Sequence, residues 1–232
     1  MHSVNGKKQI GIALSGGGAR GITHIGILDV LEKEGLAPDV ISGASFGAIV
    51  GAFYAAGYSP EELLDFVKRT RFSNFIGSLM SKNGLLNLDY LRNLLRKFIP
   101  KDDFDALKKP LYVSVTNLNT GKNEIVSQGK LFDYVVASAS LPIIFKPVPI
   151  DDSLYVDGGL LNNMPTDPLR SKVDILIGAH VNFHDRKDNI QGVRDTADRV
   201  FRLAIWQNVI PRVRDCDIFI EPKQMKNFST FA

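Results

Sequence analysis

Ser45 stands in the run Gly43-Ala44-Ser45-Phe46-Gly47, a Gly-x-Ser-x-Gly arrangement. Small residues on both sides of a serine allow a strand-to-helix turn so sharp that the hydroxyl is left at its tip, the geometry of a nucleophile elbow. A serine at a helix start is also a common N-cap, and the turn alone leaves both uses open. A nucleophilic serine needs a group to take its proton. The histidines are His2, His24, His180 and His184. His2 falls in a terminal stretch, and His24 reads as a buried, hydrogen-bonded helix residue. His180 follows an apolar strand, and Ser45, Asp157, His180 is the Ser–Asp–His chain order of α/β-hydrolases. Asp157 is followed by Gly158 and Gly159, which would let its carboxylate approach a site closely. The same triplet also makes a plain turn.

A second cluster is Ser15-Gly16-Gly17-Gly18-Ala19-Arg20-Gly21. Glycines at a helix N-terminus present bare N–H groups that bind anions, whether a phosphate or a transient oxyanion. Gly16-x-Gly18-x-x-Gly21 also matches the dinucleotide fingerprint, which requires an acidic residue at the end of the second strand. Here that strand ends Ile41-Ser42-Gly43 with Asp39 at its start, so the cofactor reading is disfavoured. Arg20 opposes the dipole of the helix it opens. It is expected to face solvent, a carboxylate, or an anionic group of a substrate.

These residues need elements to carry them. Gln9–Leu14 is a short apolar run ending in glycines, a buried strand. Ile22–Glu34 follows as a mostly buried helix, with Asp29, Glu32 and Lys33 marking its solvent side and Gly35 as its cap. Asp39–Ile41 is a second strand leading into the serine turn, and a helix runs from there to Gly57. Strand, turn, helix, repeated, indicates a parallel sheet with helical crossovers. Ser59-Pro60-Glu61-Glu62 is a capping box opening a helix. Leu88–Phe98 is amphipathic, with Arg92, Arg96 and Lys97 as a basic, solvated face. Residues 60–109 together read as a helical insertion, whose apolar part, Phe72–Leu86, would form a small cap or dry the site. Further strands are predicted at Leu111–Thr116, Glu124–Ser127, Leu154–Val156, Val173–Val181 and Asp217–Glu221. Helices are predicted at Lys130–Ser138 and Arg194–Val209.

The 232 residues are 44% hydrophobic and 23% charged, a globular composition of single-domain size. The net charge of +3 gives no argument for nucleic acid. With one cysteine, Cys216, no internal disulfide and no cysteine-based metal site is expected. The reading expects residues 1–8 as a disordered tail, 9–222 as one catalytic domain and 223–232 as a C-terminal tail. It expects a cytoplasmic protein and leaves open contact with a membrane surface.

In this order, Ser15–Gly21, Gly43–Gly47, Ala137-Ser138-Ala139-Ser140-Leu141-Pro142 and Asp157–Gly159 resemble the motifs of the patatin-like phospholipase family. The resemblance covers most of the chain. It implies a three-layer α/β/α fold with a mostly parallel sheet, and lipid acyl-ester hydrolysis through a Ser–Asp dyad without a histidine base. Carried over, Ser45 is the nucleophile, Asp157 the base, and Gly16, Gly17 and Gly18 the oxyanion hole. Gly21, Gly43, Gly47, Gly158 and Gly159 support these turns. Plant patatins have aspartate where this chain has Ser15. The resemblance implies a lipid or small-ester substrate and neither metal nor cofactor. Two other readings stand beside it: a Ser–His–Asp esterase using His180, and a non-catalytic lipid-binding protein on the same fold.

Overall fold

A computed structural model describes residues 8–69, 88–183, 186 and 188–227. In chain order its strands are β1 (Ile10–Leu14), β2 (Val40–Ala44), β3 (Leu111–Asn117), β4 (Lys122–Val126), β5 (Val148–Ile150), β6 (Ser153–Asp157), β7 (Ile175–Ala179) and β8 (Ile218–Ile220). Its helices are α1 (Thr23–Lys33), α2 (Phe46–Ala56), α3 (Pro60–Arg69), α4 (Asp89–Phe98), α5 (Leu131–Ser138), α6 (Asp167–Arg170) and α7 (Gly192–Val213).

Successive residues of a strand point to opposite faces of a sheet, and that rule separates two cores. In β1, Ile10, Ile12 and Leu14 enter one core and Ala13 the other. In β7, Ile177 and Ala179 enter the first core and Leu176 the second. The first core takes α1, α2, α4 and α5; the second takes Leu169 of α6 and Val209 of α7. Helices on both faces of a sheet buried on both sides make three layers, as the sequence reading expects. The eight strands form one sheet in the order β5-β6-β3-β2-β1-β7-β8, with β4 also on β3. The β1–β2, β1–β7, β2–β3 and β7–β8 pairings are parallel. The pairings β3–β4, β3–β6 and β5–β6 are antiparallel.

β3 is the strand that decides the site. Val113 and Ser114 pair with β2 and also with β4, so those two strands lie on opposite edges of β3. Val115 to Asn117 pair with β6 and also with β4. β2 and β6 therefore share one edge of β3: β2 as far as Ser114, β6 from Val115 onward. One runs parallel to β3 and the other antiparallel, so their C-terminal ends meet head-on. Ser45 follows the last residue of β2, and Asp157 is the last residue of β6.

The predicted elements recur with small changes. Gly35 adopts φ +73° after α1, and Leu36 N–H closes back on Leu31 O at 2.7 Å. The capping box at α3 is reciprocal: Glu62 N–H donates to Ser59 Oγ at 3.2 Å, and Ser59 N–H to Glu62 Oε2 at 2.8 Å. Val30 differs from the reading that makes α1 mostly buried, because it faces solvent. Strand β5 was not anticipated. Its Val148-Pro149-Ile150 carries a proline, which an edge strand paired on one side tolerates. Helix α6 has four residues, too few to show a period.

Of the insertion, α3, α4 and a 3-10 turn at Phe104–Ala106 are described. Phe66 of α3 and Phe98 of α4 meet edge-to-face at 5.0 Å between ring centroids, above Phe53 of α2. Arg92 leaves the expected solvated face and pairs with Asp133 on α5. Phe72–Leu86 lies outside the described residues. Lys223–Asn227 form a 3-10 turn.

Candidate active site

Ser45 is the only residue between β2 and α2. Its φ of 54° and ψ of −125° place a non-glycine residue in a sparsely populated conformation. Packing holds it there. A Cβ on Gly43 would lie 2.6 Å from the Gly47 backbone, and one on Gly47 would run into the Leu14 carbonyl of β1. The Ser45 carbonyl accepts from Ala48 N–H at 3.0 Å and Ile49 N–H at 3.2 Å, starting α2. Its side chain makes no capping hydrogen bond. The N-cap alternative is therefore met by the backbone alone, and the hydroxyl is used elsewhere. It lies close enough to the Asp157 carboxylate to draw that group's pKa down against burial.

Asp157 is 3% exposed. Its carboxylate also accepts from Gly159 N–H at 2.7 Å. Burial pushes its pKa from 3.8 up to about 6, and the nearby Ser45 hydroxyl and the bond from Gly159 N–H hold it below where burial alone would take it. The turn after it is tight. A Cβ on Gly158 would collide with the Ser114 carbonyl, and one on Gly159 would stand 2.6 Å from Asn163 Oδ1.

The glycine loop closes the third side. Ser15 N–H donates to Ala179 O at 2.9 Å, and Ser15 Oγ accepts from Val181 N–H at 3.1 Å, extending β1 along β7. A Cβ on Gly16 would sit 3.0 Å from Ser45 Cβ, so the loop lies against the serine turn. Gly17 packs on Val181, and Gly18 has φ +53°, a conformation that favours glycine. The expected oxyanion donors need one correction. Gly16 N–H is already given to Asn163 O at 3.0 Å. Gly17 and Gly18 N–H have no partner among the described residues, so they are free donors of the loop. Gly21 lets the following 3-10 turn pack on Phe46, whose ring a Cβ would meet at 2.5 Å. Arg20 is buried, which removes the solvent-facing expectation. Asp39 sits at the opposite end of β2 and accepts from Ile10 N–H at 3.0 Å, far from where a ribose would lie on the glycine loop.

Neither histidine among the described residues hydrogen-bonds Ser45. His180 is buried, its Nδ1 is 2.8 Å from Glu221 Oε1, and its Nε2 has no hydrogen-bond partner. Its ring lies beside Trp206 and Phe219 at 5.4 and 6.4 Å. His24 is buried as expected, with Nε2 2.7 Å from Ser15 O. A carbonyl only accepts, so that nitrogen carries the proton. His2 and His184 lie outside the described residues.

Two serines not given a role by the sequence reading tie the site together. Ser45 N–H donates to Ser138 Oγ at 2.9 Å, and Ser138 Oγ donates to Ser114 O at 2.7 Å. Asp157 N–H donates to Ser140 O at 2.9 Å, and Ser140 Oγ donates to Lys146 O at 2.6 Å. The Ala137–Pro142 motif thus anchors both Ser45 and Asp157 from the end of α5. Its Ser-x-Ser repeat was visible in the sequence; the backbone groups it meets were not.

The family model described as patatin-like phospholipase matches residues 12–170. A patatin-like phospholipase domain-containing protein of Caenorhabditis elegans is 32% identical over 79% of this chain and 15% of its own length. A lysophospholipase NTE1 of Cryptococcus neoformans is 34% identical over 70% of this chain and 10% of its own. The chain thus spans a small part of these curated relatives. Among solved structures, VipD from Legionella pneumophila is similar over 83% of this chain and 52% of its own, at 17% identity and a TM-score of 0.49. From the match over residues 12–170, the chain belongs to the patatin-like phospholipase family.

Proposed function

We propose that the protein hydrolyses carboxylic esters of lipids through Ser45 and Asp157. The observation that carries this reading is the head-on meeting of β2 and β6, which sets the Ser45 hydroxyl beside the buried Asp157 carboxylate, whose pKa is about 6. A carboxylate in that range is ionised at neutral pH yet basic enough to accept a proton during reaction. Asp157 takes the Ser45 proton as Oγ attacks the ester carbonyl carbon. The carbonyl oxygen, now negative, is received by Gly17 and Gly18 N–H; a donor of this kind is worth on the order of 100- to 1000-fold in rate. Asp157 then protonates the departing alcohol. Water attacks the acyl-serine with Asp157 as base again, and the fatty acid leaves. The relatives named phospholipase and lysophospholipase support a phospholipid or lysophospholipid as the ester. The His180 alternative lacks support, since its Nε2 makes no bond to Ser45.

A panel of phospholipid, lysophospholipid, acylglycerol and short esters, assayed with variants, tests this. Ser45→Ala and Asp157→Asn are expected to lose hydrolysis by at least about 1000-fold while staying folded. His180→Gln is expected to keep most of it. A fluorophosphonate should label the wild type at Ser45. An active Asp157→Asn beside a dead but folded His180→Gln would overturn the dyad, and a wild type that binds lipid without labelling would favour the non-catalytic reading.

A further inference from the structure

Asn208 lies near the C-terminal end of α7, outside the region matched by the family. Its side chain makes three hydrogen bonds, all to main-chain groups. Oδ1 accepts from Asn163 N–H at 2.9 Å, and Nδ2 donates to Gly159 O and Leu160 O at 3.3 Å each. The orientation of the amide is dictated by these partners. Turned over, it would set NH2 against an N–H and oxygen against two carbonyl oxygens.

What these groups belong to gives the contact its meaning. Gly159 and Leu160 form the 3-10 turn immediately after Asp157, and Gly159 N–H is the donor that holds the Asp157 carboxylate. A single 3-10 turn has poorer hydrogen-bond geometry than an α-helix and gains from outside support. Asn163, on the other side, gives its carbonyl to Gly16 N–H at 3.0 Å, and Gly16 precedes Gly17 and Gly18. Asn163 Oδ1 also fills the space beside the Gly16 and Gly159 Cα atoms. One amide on a long helix therefore reaches both the turn bearing the carboxylate and, through Asn163, the loop bearing the free N–H groups.

We propose that Asn208 is a positioning residue for the hydrolase, setting the Asp157 turn and the Gly16–Gly18 loop at one relative position. This rests on the Ser45–Asp157 reading. Asn208 touches neither substrate nor reacting atoms. Loss of its amide leaves two carbonyls and one N–H without a partner, and the turn and the loop then shift independently. A misplacement of about 1 Å in such a constellation lowers the rate by about 100-fold.

The test compares wild type, Ser45→Ala, Asn208→Leu and Asn208→Asp. Rates are normalised to the fraction of protein labelled by fluorophosphonate after long exposure. Leu removes all three bonds at similar volume; Asp keeps the acceptor for Asn163 N–H and loses the two donors. Both are expected to lower kcat by at least about tenfold with KM nearly unchanged. Both are also expected to move the acidic limb of kcat/KM to higher pH, because a loosened turn weakens the Gly159 bond that favours ionised Asp157. A merely structural residue would lower Tm and the labelled fraction and leave the pH limb in place. An active wild type with Asn208 variants within twofold in kcat and an unmoved limb overturns this inference alone. Failure of both variants to fold overturns it too, by assigning Asn208 to folding. A wild type that neither labels nor hydrolyses brings down the dyad reading and this inference with it.

Discussion

In the proposed reaction Asp157 must be ionised when Ser45 attacks. Its pKa of about 6, set first by burial, places the acidic limb of kcat/KM near that pH, well above an ordinary aspartate. A pH–rate profile on a soluble ester reads this directly, and a limb near 4 would contradict it. The same burial has a consequence for stability. The folded pKa lies above the unfolded value of 3.8, so the folded chain holds the proton more tightly. The stabilising contribution is present in full below pH 3.8 and is lost as pH rises through about 6. At pH 8 the charged carboxylate is a burden of about 2–3 kcal/mol at most. Asp157→Asn is thus expected to raise Tm at pH 8, with the gain shrinking toward zero near pH 4. Thermal melts of wild type and variant across that range check it.

At the scale of elements, the serine turn depends on β1 and α2 approaching without side chains between them. Gly47 opens α2 directly over the Leu14 carbonyl of β1. Gly47→Ala forces that strand and helix apart. The expected cost is about 1–3 kcal/mol, with loss of fluorophosphonate labelling, because this close approach is one of the contacts that hold the strained φ of Ser45. Labelling that persists at the wild-type rate would show that the turn survives without the close approach. The glycines of these turns were legible in the sequence because small residues at fixed offsets have few other uses. At Gly16 the spacing shows where bare N–H groups occur, not which of them is already engaged. Asn163 engages this one from 147 positions away. The strand β5 and the helix α6 are not visible in the sequence because each is too short to repeat the period that would reveal it.

At the scale of the whole molecule, two buried titratable groups oppose each other. His24 has its pKa lowered from 6.5 to about 4, by burial first, with the Ser15 carbonyl acting against that and His180 adding to it. Its folded pKa lies below the unfolded one. Its contribution is therefore present above pH 6.5 and is lost as pH falls through about 4. Over the same window Asp157 acts in the opposite direction, its contribution growing as pH falls. His24→Gln, which keeps a donor for Ser15 O, is expected to flatten the fall in stability between pH 6.5 and 4. Urea midpoints at several pH values measure this, and an unchanged slope would mean that other groups govern acid unfolding.

The sequence by itself determined the family, the residue types of the site and most of the layers. A strand buried on both faces, a helix with a capping box and a turn that admits only small residues are local constraints, and local constraints are written in adjacent positions. Which acid or base faces Ser45 is not local. Two candidates, Asp157 and His180, both followed strands and both fitted a known order. The tertiary structure decided between them geometrically, because β3 pairs one edge first with β2 and then with β6, bringing the ends of those two strands together. His180 follows β7, on the far side of β1, where Glu221 and Trp206 receive it. The ties from Ser138, Ser140, Asn163 and Asn208 stayed hidden for the same physical reason. They are made to main-chain groups, and every residue carries those alike, so no choice of side chain at the partner position records them.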